Sequence, residues 1–105
     1  TTHLINEDTL KLVKKGSMLI NTARGPLVDE VAVAKALKYG ILSALAADVL
    51  STEPMTKDCP FLGCENTIIT PHVAWAGFET RQRLMNIAVD NLKAFLSGKP
   101  QNQVF

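Results

Sequence analysis

Three ionisable side chains, Arg24, Glu53 and His72, each follow a short apolar segment of the chain. An arginine binds a planar carboxylate through its rigid fork of donors, and a histidine exchanges a proton near neutral pH. A neighbouring carboxylate can orient such a histidine and favour its charged form. Together, the three groups could hold an anionic substrate and give it a proton.

The apolar segments that precede these side chains are predicted strands. Residues 18–20 are continuously apolar, residues 43–50 form a second apolar run, and residues 67–70 are β-branched and stop at Pro71. Continuous apolarity is typical of a strand that is covered on both faces of a parallel sheet. Alanine favours helix, but we interpret 43–50 as a strand because it is short and Gly40 has just ended a helix.

Three helices are predicted to alternate with these strands. The first covers residues 7–15, with Asn6 as its N-cap. The second begins after the capping residue Asp29 and ends at Gly40. The third covers residues 78–96, where apolar side chains recur at spacings of three and four.

This alternation predicts the α/β class, with a partial doubly wound parallel sheet of about three strands and flanking helices. Complete sheets of this kind usually have about five or six strands, so we expect an open lateral edge. The carboxyl ends of parallel strands meet at one end of the sheet, where ligands bind. A lone Arg, Glu or His in a loop is more often structural than catalytic, but shared placement after successive strands favours a functional site for all three.

The composition is that of an ordinary globular protein. Of 105 residues, 47% are hydrophobic and 20% are charged, and the formal charge is +1. This balance gives no reason to expect nucleic acid or a membrane as a partner, and no apolar run approaches the roughly 20 residues that span a bilayer. Cys59 and Cys64 are interpreted as free thiols in a reducing cytoplasm, with no metal site expected.

Three motifs in this chain resemble signatures of a known family. Asn-Thr-Ala-Arg-Gly at 21–25, Asp-Val-x-x-x-Glu-Pro at 48–54 and Thr-Pro-His at 70–72 resemble the C-terminal signatures of the D-isomer-specific 2-hydroxyacid dehydrogenases. Residues 71–75 and 98–102 are most similar to the glycerate dehydrogenase or hydroxypyruvate reductase branch. The resemblance implies that residues 1–105 are the C-terminal part of a Rossmann-type NAD(P)-binding domain, with 98–105 as a tail toward a substrate domain.

The resemblance also implies a reaction and a role for each ionisable group. Hydride would pass between NAD(P)H and a small 2-oxo acid, with hydroxypyruvate or glyoxylate as the leading substrate. His72 would give the proton to the carbonyl oxygen, Glu53 would orient His72 and favour its imidazolium, and Arg24 would bind the substrate carboxylate or polarise the carbonyl.

Cofactor contacts are implied by the same resemblance. Either NAD or NADP would be bound, and Asp48 would lie near the nicotinamide carboxamide. The implied contacts are Thr22, Ala23, Arg24, Asp48, His72, Ala74 and Gly77. Trp75 could contact substrate or a partner subunit, or simply pack. No G-x-G-x-x-G phosphate turn occurs in these residues, so we expect it N-terminal to Thr1.

Other interpretations stay open from the sequence. The chain could come from a dehydrogenase-like corepressor that acts by interaction, and turnover of 2-oxo acids would distinguish the two. The 105-residue chain is expected to be inactive by itself and to associate through its open sheet edge. The resemblance implies a homodimer for the complete enzyme.

Overall fold

A computed structural model describes residues 1–104 as two compact units, the first being Thr1–His72 and the second beginning at Val73. The first unit alternates helix and strand as predicted. Its elements are α1 (Glu7–Leu10), β1 (Ser17–Asn21), a 3-10 turn (Gly25–Leu27), α2 (Glu30–Lys38), β2 (Leu42–Ala47) and β3 (Thr67–Ile69). The second unit contains α3 (Phe78–Leu96), with the bounds that the sequence predicts.

The three strands form one parallel sheet in the order β1-β2-β3. Asn21 pairs with Ala47 and Ala47 pairs with Ile69, so the strands end level with one another. Helix α2 packs on the sheet through Val33, which is fully buried, against a core that includes Leu45. The predicted α/β class and parallel sheet are confirmed.

The first helix is shorter than predicted. Asn6 is the N-cap, as expected, and forms a capping box with Thr9. The helix ends at Leu10, however, and Lys11 is its C-cap, so the predicted extension over residues 11–15 is wrong. Leu10 is the one buried residue of this helix, and in residues 11–15 Val13 is only partly buried against the core, so these residues gain little from helical packing.

Helix α2 begins and ends as predicted. The Asp29 carboxylate accepts the Ala32 N–H at 3.0 Å, which satisfies one free amide of the first turn. Gly40, just beyond the helix, has a φ of +67°, a left-handed conformation that glycine adopts without steric cost. The Asp29 cap fixes the start of the helix and therefore the position of Glu30, its first residue.

One face of the sheet differs from the prediction. In a strand covered on both faces, Met18 and Ile20 of β1 would be buried, yet they are 71% and 68% exposed, and Ile68 of β3 is 67% exposed. In the part of the chain that is described, β1 therefore alternates between an exposed and a less exposed face. Helix α2 packs on the opposite face of the sheet, so it does not bury the exposed apolar side chains of β1.

In residues 1–104, no helix is both long and apolar enough to cross a membrane.

Residues 98–104 lie in the second unit. Their predicted role as a tail toward a substrate domain stays a prediction, and Phe105 lies outside the described residues.

Candidate active site

The loops that follow the three strands share one end of the sheet, because the strands are parallel and end level. A pocket of about 330 Å³ opens there between the loops that follow β2 and β3. It is lined by Asp48, Leu50, Glu53, Pro54, Met55, Ile69, Thr70, Pro71 and His72. Two of the three ionisable groups singled out in the sequence thus line one pocket.

Glu53 and His72 form a direct pair in this pocket. His72 Nδ1 lies 2.8 Å from Glu53 Oε2, and the Leu50 N–H donates to Glu53 Oε1 at 2.9 Å. Each carboxylate oxygen therefore has a partner, which holds the carboxylate in one orientation. The two side chains remain 47% (His72) and 38% (Glu53) exposed, so a small molecule can reach the imidazole.

The electrostatics of the pair define the protonation of His72 Nδ1. The hydrogen bond with His72 holds the pKa of Glu53 below its ordinary value, and the Leu50 N–H adds to this lowering. Partial burial and the nearby Asp48 charge act in the opposite direction. Since an ionised carboxylate can only accept, Nδ1 must carry the hydrogen, and Nε2 is the imidazole nitrogen that remains for exchange with a ligand.

The backbone at His72 is unusual. Its φ is +55°, a left-handed conformation that costs a residue with a side chain about 1–3 kcal/mol. The His72 N–H donates to the Thr70 carbonyl at 3.0 Å, which closes a tight turn after β3. This turn brings the imidazole back over the end of the sheet toward Glu53.

Arg24 is presented by a turn that Asn21 organises. The buried Asn21 side chain accepts the Ala23 N–H at 3.1 Å and donates to the Arg24 carbonyl at 2.9 Å. The guanidinium is exposed and donates from Nη1 to the Ala23 carbonyl at 2.7 Å. Because a guanidinium has five N–H donors, this single bond leaves capacity for an anion.

The turn of Arg24 packs directly on the loop of Glu53. A Cβ on Gly25 would collide with the backbone carbonyl of Leu50, so only glycine fits at this contact. The Asp48 N–H also donates to the Asn21 carbonyl at 2.9 Å. The two loops therefore have a fixed relation to each other.

Asp48 is buried at the end of β2 and is held by β3. The Thr70 hydroxyl donates to Asp48 Oδ1 at 2.5 Å. A carboxylate that is held by a hydroxyl in a pocket wall offers an acceptor of fixed position for an amide N–H.

The predicted cofactor contacts fall in both units of the chain. Thr22 and Ala23 are exposed in the turn after β1, and Asp48 lines the pocket. Ala74 and Gly77 belong to the second unit, where Gly77 is the N-cap of α3. Their part in cofactor binding stays a prediction.

Sequence reasoning missed three residues that hold the site: Asn21, Glu30 and Thr70. Asn21 and Thr70 stand inside the recognised motifs and had a usable signal, since Asn and Thr often bond to nearby backbone at strand ends. Glu30 had none, because its partner Ser51 is 21 positions away along the chain.

A larger groove of about 830 Å³ lies near the amino ends of β2 and β3, beside α2. Its polar lining includes Lys35, Lys38 and Glu65. It contains no acid–histidine pair, and in open α/β sheets ligands bind at the carboxyl ends of strands. The pocket of Glu53 and His72 is therefore the better candidate for catalysis.

Comparison with known proteins identifies the family. Residues 1–74 match the model of the D-isomer specific 2-hydroxyacid dehydrogenase, NAD binding domain. The sheet and its flanking helices are those of a Rossmann-type nucleotide-binding domain, and the chain belongs to the D-isomer specific 2-hydroxyacid dehydrogenase family.

Curated relatives match nearly the whole chain. It is 46% identical to a hydroxypyruvate reductase of Blautia hydrogenotrophica, over 99% of this chain and 32% of the relative. It is 48% identical to a glycerate dehydrogenase of Methylorubrum extorquens, over 99% of this chain and 34% of the relative. The chain thus spans about a third of the length of these relatives.

Solved structures agree with the fold. A D-isomer specific 2-hydroxyacid dehydrogenase from Xanthobacter autotrophicus, in complex with NADPH and MES, superposes with a TM-score of 0.82 at 33% identity, over 100% of this chain and 43% of that chain. A D-lactate dehydrogenase from Aquifex aeolicus, complexed with NAD and lactic acid, gives a TM-score of 0.68 at 36% identity, over 93% of this chain and 34% of that chain.

Proposed function

We propose that the protein containing this chain is an NAD(P)-dependent D-2-hydroxyacid dehydrogenase in which His72, Glu53 and Arg24 form the substrate side of the active site. The observation that carries this proposal is the bond between His72 Nδ1 and Glu53 Oε2 in a pocket at the carboxyl end of the sheet. An acid–histidine pair in that position suits proton transfer to a bound substrate.

The donor set of the site fits the nicotinamide end of the cofactor. Asp48 gives an acceptor for a carboxamide, and Leu50, Met55 and Ile69 give the pocket an apolar wall for a ring. The phosphates would be held elsewhere, because these 105 residues contain no G-x-G-x-x-G turn. When bound, the reduced cofactor supplies the hydride.

The residues of this chain then provide the proton and the anion clamp. The imidazolium of His72 gives the proton on Nε2 to the carbonyl oxygen, while Glu53 keeps hold of Nδ1 and stabilises the positive charge. In the reverse direction, neutral His72 takes the hydroxyl proton back. Arg24 binds the substrate carboxylate through the donors that Ala23 does not occupy.

We further propose that the substrate is a small 2-oxo acid of the hydroxypyruvate or glyoxylate class. Relatives at 46–48% identity carry the names hydroxypyruvate reductase, glyoxylate reductase and glycerate dehydrogenase. These enzyme names favour a dehydrogenase over a corepressor. We also propose that the enzyme is a homodimer in the cytoplasm and that its cofactor is either NAD or NADP.

The test is hydroxypyruvate reduction by the complete protein with His72→Ala. We expect kcat/KM to fall by about 10²-fold or more, because general acid catalysis contributes that much. His3→Ala is the matched control, since His3 is the other histidine of the chain and does not line the pocket. Near-unchanged reduction by His72→Ala would refute the role of His72.

A further inference from the structure

The loop of Glu53 is held by a residue far away in the sequence. Glu30, the half-buried first residue of α2, accepts the Ser51 N–H on Oε1 at 2.7 Å. The neighbouring Leu50 N–H donates to Glu53 Oε1, and Glu53 Oε2 pairs with His72. A continuous series of contacts thus runs from α2 to the imidazole.

The backbone at residues 50 and 51 is held from two directions. Gly25 packs against the Leu50 carbonyl so closely that a Cβ would not fit. Glu30 binds the next amide, that of Ser51. These contacts leave the Leu50 N–H pointing at Glu53, so the position of Glu53 depends on how this short segment is held.

We propose that Glu30 is a positioning residue, which holds the Leu50–Ser51 backbone so that Glu53 can orient His72 for proton transfer. This inference deepens the proposed function and rests on it for the catalytic consequence. An acidic residue in the first turn also stabilises a helix through its dipole. A stabilising role of that kind would change the stability of α2 but leave the titration of Glu53 unaltered.

The first measurement is the titration of the Glu53 carboxyl by carbon NMR in the complete protein, assigned with Glu53→Gln. Glu30→Ala is expected to raise the pKa of Glu53 toward the ordinary value of 4.5, because the Leu50 N–H is one cause of its lowering. Glu30→Gln keeps an acceptor oxygen and is expected to leave it unchanged. Glu65→Ala, an acid in the loop before β3, is the control.

The second measurement is steady-state reduction of hydroxypyruvate by the same proteins. We expect Glu30→Ala to lower kcat roughly tenfold, since small displacements of catalytic groups cost rate, and to leave KM within about twofold. Glu30→Gln should recover most of kcat. If Glu30→Ala does not fold, Glu30→Asp withdraws the acceptor and is measured in its place.

Two results would overturn the inference. One is an unchanged titration of Glu53 together with unchanged kcat in Glu30→Ala. The other is a Glu30→Gln protein as impaired as Glu30→Ala. A wild-type protein without turnover would instead reject the proposed function, and the titration of Glu53 would still decide whether Glu30 positions it.

Discussion

At the scale of single residues, the pairing of Glu53 with His72 determines which imidazole nitrogen takes part in the proposed proton transfer. Glu53 uses both oxygens, one on the Leu50 N–H and one on His72 Nδ1. The imidazole is thereby oriented, and its Nε2 is the nitrogen left for the proposed proton exchange with a ligand. The left-handed backbone of His72 is the conformational cost of this placement.

The titration of Glu53 should respond to removal of its partner. In His72→Ala, we expect the pKa of Glu53 to rise, because the hydrogen bond with His72 is the largest cause of its lowering. The Leu50 N–H still donates to Glu53 in this variant and continues to favour the ionised carboxylate. Carbon NMR of the labelled carboxyl measures the midpoint.

An internal control is present in the same spectrum. The pKa of Asp58 is lowered by the Thr56 hydroxyl and should not move in His72→Ala. In the wild type, the folded pKa of Glu53 lies below the ordinary value, so its pairing stabilises the fold fully above that value and is lost as pH falls through the lowered pKa. An unchanged midpoint in His72→Ala would contradict the pairing.

Thr70 is expected to stabilise the fold through its hydrogen bond to Asp48. Thr70→Val keeps the shape of the side chain but removes the donor to the buried Asp48, and hydrogen bonds to charged groups contribute about 1.5–3 kcal/mol. We expect a loss of about 2 kcal/mol in the free energy of unfolding, measured by urea titration. The matched control is Thr67→Val in β3, the strand that precedes Thr70, because the Thr67 hydroxyl makes only a long 3.4 Å bond to the Glu65 carbonyl. Equal effects of the two changes would argue against this role.

At the scale of elements, the 3-10 turn that follows Arg24 determines how two loops meet. Gly25 lies where any Cβ would overlap the Leu50 backbone, which cannot move aside as a flexible side chain could. The turn after β1 and the loop after β2 therefore act as one body. This contact relates Arg24 to Glu53 without a direct bond between them.

Gly25→Ala should therefore lower the stability of the fold more than a glycine replacement that only places a side chain in an unfavourable backbone conformation. We expect it to lower the free energy of unfolding by about 3 kcal/mol, as overpacking against a rigid neighbour does. Gly40→Ala is the comparison, because its Cβ meets nothing within 4 Å and only the φ of +67° is costly, at about 1–2 kcal/mol. Denaturant unfolding of both variants measures the difference. A Gly25→Ala protein no less stable than Gly40→Ala would show that the contact yields easily.

At the scale of the whole molecule, the chain exposes an apolar sheet face. Met18, Ile20 and Ile68 are each about two-thirds exposed or more, on outer strands of the sheet. Apolar side chains grouped in this way are typical of surfaces that another protein segment covers. The chain spans about a third of the length of its curated relatives.

The 105-residue chain by itself is therefore expected to associate in solution. Light scattering should give a mass above that of the 11.4 kDa monomer. Replacing Met18 and Ile20 by lysine should reduce the association, because charges on this face oppose its burial. Leu12→Lys is the control, as Leu12 is 86% exposed outside the sheet. A stable monomer of the unaltered chain would contradict this expectation.

The sequence by itself determined the alternation of elements and the end of the sheet at which chemistry is expected. Apolar runs, caps and glycine stops act over a few residues, so β1, α2 and the long α3 could be predicted closely. The placement of Arg24, Glu53 and His72 after successive strands needed only the rule that parallel strands end together.

Only the tertiary structure decided which of these groups touch and what holds them. The bonds of Glu30 to Ser51 and of Thr70 to Asp48 join residues more than 20 positions apart, where no local pattern operates. The early end of α1 and the exposed face of β1 also depend on burial by distant segments. Local propensity places elements, but long-range packing and hydrogen bonding give the site its geometry.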